Sequence, residues 1–383
     1  MKISIIIEDN CTILNNFFFY KVDTLSMTFY SLNMKTKKQY FGTIYSGQKA
    51  TLFTVSTKNI TLKATNYGAT ITSLILKDSN NKETDIVLGF ETLDSYSKNW
   101  GSFGAIIGRY SNKISNAKFT LNGTEYKLSE NIQGSCLHGG VPRWENLIWN
   151  GKIIRQKSKI GLRFEKTFPD GFQGFPGNLK VTIEYLISND NKLTFSYKAI
   201  SDKETPISIT NHSYFNLNGG GNVKENELQL FCEKIIQTDK DNIPTGKLID
   251  VKNTEYDFLQ PKKVGTHTDK LEYGYDTCYV TAAYNPETAI PTKDTPLVKV
   301  AQLTDSQANK KMTVFSNAEG MQLYTSGYVK FTLGKNGATY TPFCGICFET
   351  QNFPDSPNRP EFPSTILKPN QEYNSITEFH FEF

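Results

Sequence analysis

The sequence predicts an all-β fold, a sandwich or a barrel with few short helices. Three observations carry this. Short apolar–polar alternating runs rich in Thr, Tyr, Phe, Val and Ile recur between Gly, Asn and Asp. Long stretches of 3.6-residue period are missing, so helices do not separate the strands as in a βαβ sheet. Aromatic content is high at 13%, with 20 Tyr and 26 Phe, and aromatic side chains suit a pleated surface.

Residues 1–40 show no clear period and are rich in Phe and Asn. They read as an N-terminal extension, with Met27 and Met34 as alternative starts, ahead of a single β domain over 41–383. "TLDSYSKN" (Thr92 to Asn99) predicts one short helix with Asp94 or Ser95 near its start. "KFTLNGTEYKL" (Lys118 to Leu128) alternates about an Asn-Gly pair, the strongest short hairpin signal. "GLRFEKTF", "LKVTIEYLIS" and "KLTFSYKAIS" repeat the strand pattern at close spacing. The segment Asn352 to Tyr373 holds five prolines, which lack the donor a central strand needs. It reads as an ordered surface loop or a disordered tail, and Phe353, Phe362, Ile366 and Leu367 favour order.

Composition excludes several functions. The 42 basic and 38 acidic residues leave a net charge of +4, too balanced for a nucleic-acid footprint. No run of about 18 apolar residues exists, so no transmembrane helix is expected. "MKISIIIEDNC" starts like a signal peptide, but Glu8 and Asp9 break it and no small-residue cleavage site follows. Six cysteines lack a disulfide-framework spacing, and "CGIC" (Cys344 to Cys347) runs into a strand, so it reads as coincidental. Formal glycosylation sequons occur at Asn10, Asn59, Asn122 and Asn211. A glycan on Asn211 would crowd His212, so the expected location is cytoplasmic.

Chemistry concentrates in two places. His212 sits in "ITNHSYFNLNG" (Ile209 to Gly219) beside Asn211, Ser213, Tyr214 and Asn216, with Phe215 and Leu217 as apolar anchors. His138 precedes two glycines in "CLHGG", which let the backbone turn sharply or approach a ligand. His267 falls in a polar, exposed-looking loop, and His380 in a terminal strand. Glu349 in "GICFETQNF" and Asp276 in "EYGYDTCYV" are carboxylates in apolar surroundings. Burial there is costly without partners, so each reads as a structural acceptor or a group held for chemistry.

Taken together, eleven segments resemble the aldose 1-epimerase (galactose mutarotase) family in order and spacing. They are "NYGATITSLILKD", "DIVLGFETLDSY", "GAIIGRYSNKISNAKFTLNGTEYKL", "LHGG", "FPDGFQGFPGNLKVTIEY", "TPISITNHSYFNLNG", "IPTG", "GYD", "MQLYTSG", "GKNGATY" and "CFETQNFPDSPNRPEFPSTILKPNQEY". They cover roughly 41–383. The resemblance implies a large antiparallel β-sandwich and interconversion of the α and β anomers of free aldohexoses such as D-galactose and D-glucose. It implies Glu349 as base on the C1 hydroxyl and His212 as acid on the ring oxygen. His138, Asp276 and Gln322 match sugar-binding positions, with Asn112 and Tyr214 as candidates beside them and Lys113 at a position of the sugar clamp, and no cofactor or metal is implied. A carboxylate near His212 is expected to favour the imidazolium.

The chain departs from the family pattern at Lys113, where Arg is common, and at Thr277 after Asp276. A Lys ammonium is a point charge without the Arg fork, and nearby Arg109 is a candidate replacement. Three rival readings stand: a non-catalytic sugar-binding module, a glycoside hydrolase using Asp276 and Glu349, and a sugar-phosphate mutarotase, for which no cation cluster is visible. The expected partner is a small aldohexose, with no nucleic acid and no membrane, and the chain is expected to be a monomer or homodimer.

Overall fold

The computed structural model describes residues 34–98, 101–268, 270–271, 273–287 and 290–383. Three antiparallel sheets organise them. The first has five strands in chain order, Lys35–Thr43, Lys49–Ser56, Ile60–Thr65, Ile71–Lys77 and Glu83–Asp85. The second has nine. Its centre runs Lys159–Phe168, Leu179–Ser188, Lys192–Ser201, Tyr373–Glu382 and Lys310–Ser316. The third runs Pro244–Asp250, Lys234–Thr238, Asp276–Val280, Gly320–Tyr324 and Cys347–Gln351.

One apolar cluster draws on all three sheets: Phe53, Leu62 and Leu74 from the first, Leu162, Ile183 and Phe195 from the second, Tyr279, Met321 and Phe348 from the third. Period-2 alternation creates it. In Lys192–Ser201, Leu193, Phe195, Tyr197 and Ala199 enter the cluster while Lys198 and Ile200 face solvent. Fully burying one such Phe stabilises the fold by about 1.5–3 kcal/mol.

Local signals read from the sequence appear in place. Lys118–Leu121 pairs with Thr124–Lys127 around Asn122 (φ 50°) and Gly123 (φ 76°), two positive-φ residues as a type I′ turn requires. The helix is Leu93–Lys98, with Asp94 in its first turn. Its cap is Thr92, two residues before Asp94; the Thr92 Oγ1 accepts the Ser95 N–H at 3.2 Å. Among the described residues no helix is long and apolar enough to cross a membrane.

The boundary drawn at residue 40 falls inside the strand Lys35–Thr43. That strand hides its nature because it is an exposed edge. Its lysines guard the edge against pairing instead of marking a buried face. Residues 1–33 lie outside the described residues.

The proline segment is ordered. Asp355 is fully buried and accepts from the Ser115 N–H, the Ser115 hydroxyl and Arg359 Nε at 2.9–3.0 Å. Phe353, Phe362 and Leu367 are buried, and Ile366–Leu367 pairs with Thr205–Pro206. This pins the chain just beyond Glu349.

Candidate active site

The third sheet supplies the floor of a cavity of about 700 Å³, a size typical of small-ligand sites. Residues directly opposite each other in a sheet share a face. Register aligns Asp276, Tyr324 and Cys347 in one row, and Cys278, Gln322 and Glu349 in the next. Six chemistry-bearing side chains therefore share the same face. The other face, through Tyr279, Met321, Leu323 and Phe348, joins the apolar core.

His212 arrives from the side. Phe215 and Ile346 exchange both backbone hydrogen bonds, at 2.8 and 2.9 Å. Tyr214 C=O accepts from Leu88 N–H, and His212 exchanges backbone bonds with Gly104 and Ala105. Phe215 and Leu217 are buried anchors in the core. These bonds set the His212 segment against the strand carrying Glu349. His212 Nε2 lies 3.5 Å from Glu349 Oε1. The Tyr214 ring stacks on the imidazole at 5.0 Å, and Tyr324 meets it edge-on at 6.0 Å.

His138 closes a third side. Its N–H donates to Asn112 C=O at 3.0 Å, and the Asn112 N–H donates to His138 Nδ1 at 3.2 Å. Both residues have positive φ, 60° and 55°. A left-handed His is uncommon, and here the reciprocal bonds hold it. Because Nδ1 accepts, the proton of a neutral His138 sits on Nε2. His138, His212 and Glu349 bring ligating atoms within 4.8 Å of one another. A metal on His138 Nε2 would require the other tautomer, whose Nδ1–H would oppose the Asn112 N–H. The donor set suits hydroxyl groups better than a cation.

Gln322 Nε2 donates to Asp276 Oδ1 at 2.7 Å, and Lys113 Nζ donates to Asp241 C=O at 2.7 Å. Glu349 Oε2 and Gln322 Oε1 are buried without a hydrogen-bond partner among the described residues. Buried acceptors are normally satisfied, and both residues line the cavity, within reach of a ligand's donors. All eight residues singled out in the sequence, Asn112, Lys113, His138, His212, Tyr214, Asp276, Gln322 and Glu349, line this cavity.

Known proteins resemble this chain over most of its length. The family model described as aldose 1-epimerase matches residues 51–380. The chain belongs to the aldose 1-epimerase family. It is 34% identical to the galactose mutarotase of Mus musculus over 334 residues, covering 86% of this chain and 93% of that one. It is 30% identical to the aldose 1-epimerase of Escherichia coli over 323 residues, covering 82% and 90%. The solved aldose epimerase homologue from C. elegans superposes with a TM-score of 0.75 at 26% identity, covering 85% and 96%. The galactose 1-epimerase from Lactobacillus acidophilus gives 0.78 at 22% identity, covering 91% and 99%, a likeness of fold. The large antiparallel β-sandwich is thus the fold of this epimerase.

The electrostatics correct one expectation. Burial, and then the nearby Asp276, push the Glu349 carboxyl well above its usual range. Burial pulls His212 down to about 4. Desolvation disfavours the imidazolium expected beside a carboxylate. Both shifts favour neutral forms. Glu349 Oε1 and His212 Nε2 face each other at 3.5 Å, a separation across which a proton can be exchanged. Asp276 is also raised by burial, although Gln322 and Lys113 oppose the shift.

Other expectations change as well. Arg109 is fully buried and does not line the cavity. Its guanidinium donates to Pro176 C=O, Thr205 Oγ1 and Gly177 C=O, so it offers no fork to a sugar. The cavity's arginine is Arg143, five residues after His138, paired with Glu145 at 2.9 Å. Tyr324 was legible by period, two residues beyond Gln322. "CGIC" is not coincidental at its second cysteine: Cys347 Sγ lies 3.5 Å from His212 Nδ1. His267 is half-buried in the turn Val264–His267. His380 meets Glu378 at 3.1 Å on the nine-stranded sheet.

Proposed function

We propose that this chain interconverts the α and β anomers of free aldohexoses, D-galactose and D-glucose, by acid–base ring opening and reclosure. The observation that carries this is the His212–Glu349 pair, 3.5 Å apart at the floor of a cavity lined by hydrogen-bonding side chains. Galactose mutarotase and aldose 1-epimerase are the names of its relatives.

In this reading a bound sugar moves a proton from Glu349 to His212. The sugar's hydroxyls replace lost solvent around the carboxylate, whose Oε2 has no protein donor. Glu349 takes the proton from the C1 hydroxyl. The O1 electrons form the carbonyl, the C1–O5 bond breaks towards O5, and O5 takes the proton from His212 Nε2. Rotation about C1–C2 presents the other carbonyl face. Reclosure returns both protons. Each positioned proton transfer contributes on the order of 10²–10⁴-fold.

Lys113, Asn112, His138, Tyr214, Asp276 and Gln322 bind and orient the sugar hydroxyls. Substrate size favours a monosaccharide or its reducing end. A glycoside hydrolase reading with Asp276 and Glu349 leaves His212 without a role at 3.5 Å from the carboxylate. Polarimetry of freshly dissolved α-D-galactose or α-D-glucose tests the proposal. Accelerated approach to equilibrium rotation is the expected result. A rate equal to buffer at micromolar protein overturns it.

A further inference from the structure

The two ring nitrogens of His212 have different neighbours. Nε2 faces Glu349, and Nδ1 faces Cys347 Sγ at 3.5 Å. Cys347 is fully buried, does not line the cavity and forms no disulfide. It stands two residues before Glu349 on the same strand, so both side chains take the same sheet face. One short strand thus reaches both nitrogens of the same ring.

Which nitrogen of a histidine bears the proton is set by the bond the other makes. A protonated Glu349 points its O–H at Nε2 and makes Nε2 an acceptor. Nδ1 then carries the hydrogen and directs it at the sulfur. The imidazolium keeps the same Nδ1–H bond. So does the neutral ring left after Nε2 has given its proton away.

We propose that Cys347 is a positioning residue for the acid: its sulfur accepts the His212 Nδ1–H and reserves Nε2 as the nitrogen that gives and recovers the proton. The inference rests on the acid role given to His212 above. The choice of sulfur has a chemical reason. A thiol is a weak, uncharged acceptor. A carboxylate in this place would stabilise the imidazolium and weaken it as an acid. The ring oxygen of a sugar is a poor base, so a strong acid serves it better. Burial keeps Cys347 as the thiol, its pKa pushed well up. The other groups about the imidazole are Tyr214, Tyr324, His138 and Glu349, the backbone of His212 itself, whose hydrogen bond to the ring opposes the effect of burial, and Arg143. The nearby rings hold its plane, and the Cys347 sulfur is the side-chain atom at hydrogen-bond distance from Nδ1.

The test has two readouts on the full chain. Nitrogen-15 NMR of histidine-labelled protein reports the tautomer, with the His212 signals identified by their loss in His212→Asn. Wild type is expected to show a protonated Nδ1, and Cys347→Ala a mixture of tautomers. In polarimetry Cys347→Ala is expected to lose about 10- to 100-fold in kcat, the usual scale for losing an orienting partner, with KM nearly unchanged. Cys347→Ser, whose hydroxyl accepts the same N–H, is expected to restore most of the loss. Cys347→Asp is expected to move the acidic limb of the kcat profile to higher pH. A bare Nδ1 in the wild type overturns the proposal, as does wild-type kcat in Cys347→Ala. If the alanine variant does not fold, the serine variant decides by the same tautomer measurement. Inactive wild type with Nδ1 protonated would sink the enzymatic reading and leave this hydrogen bond standing.

Discussion

The nine-stranded sheet and the sheet under the cavity are built alike and used differently. Both are antiparallel, and both give one face to the common apolar core. They differ in what the second face meets. On the nine-stranded sheet it carries exposed cross-strand ion pairs such as Lys152–Glu165. On the other sheet it faces the cavity, and carries Asp276, Cys278, Gln322, Tyr324, Cys347 and Glu349. Solvated ion pairs of the first kind add little stability. Desolvated groups of the second kind change their protonation, which makes them reactive. The contrast teaches that sheet geometry is neutral about function, and that the environment of the second face decides it.

The largest expected effect lies in the cavity. Glu349→Gln and His212→Asn should each lower kcat by about 10²–10⁴-fold, the range for one proton transfer, with the circular dichroism spectrum unchanged. Full activity in either variant would overturn its assigned role. On the core face the effect should fall on stability instead. Phe195→Ala should cost about 3–5 kcal/mol, read by urea denaturation, with little change in KM for the protein that remains folded.

A third prediction uses Glu319, a buried carboxyl that does not line the cavity. Burial raises it to about 8, partly offset by the Phe353 N–H it accepts. A raised carboxyl means the folded state holds a proton that the unfolded state releases. The stability it carries is present below the ordinary value of 4.5 and is lost as pH rises towards about 8. Glu319→Gln should therefore flatten the fall in stability over that window and leave kcat near wild type. An unchanged slope would show that the carboxyl is not desolvated as described. The smallest effect belongs to the outer face. Lys152→Ala should change stability by about 0.2–1 kcal/mol, and high salt should erase the difference.

Legibility in the sequence followed locality. The hairpin at Asn122-Gly123 was readable because a type I′ turn is chosen by two adjacent residues. The strands 179–188 and 192–201 were readable because alternation repeats within ten residues. The edge strand Lys35–Thr43 was not, since solvent on both faces removes the alternation. His212 and Glu349 were conspicuous one at a time, and only the family resemblance joined them. Arg109 looked available beside Asn112, yet chain proximity says nothing about the direction of a side chain. Cys347 was dismissed for the redox chemistry its motif lacks, while its real neighbour, His212, stood far away in sequence.

The sequence by itself determined the all-β class, the turn positions, the apolar faces and the set of polar residues available for a sugar. Each of these depends on residue type and short-range spacing. Only the tertiary structure decided that Gln322 pairs opposite Glu349, that Phe215 locks against Ile346, and that His212 stands between Glu349 and Cys347. It also decided the electrostatics of the site, where burial draws the His212 pKa down and drives that of Glu349 up. Register and desolvation arise between distant segments, and a side chain's charge is settled by what replaces the water around it.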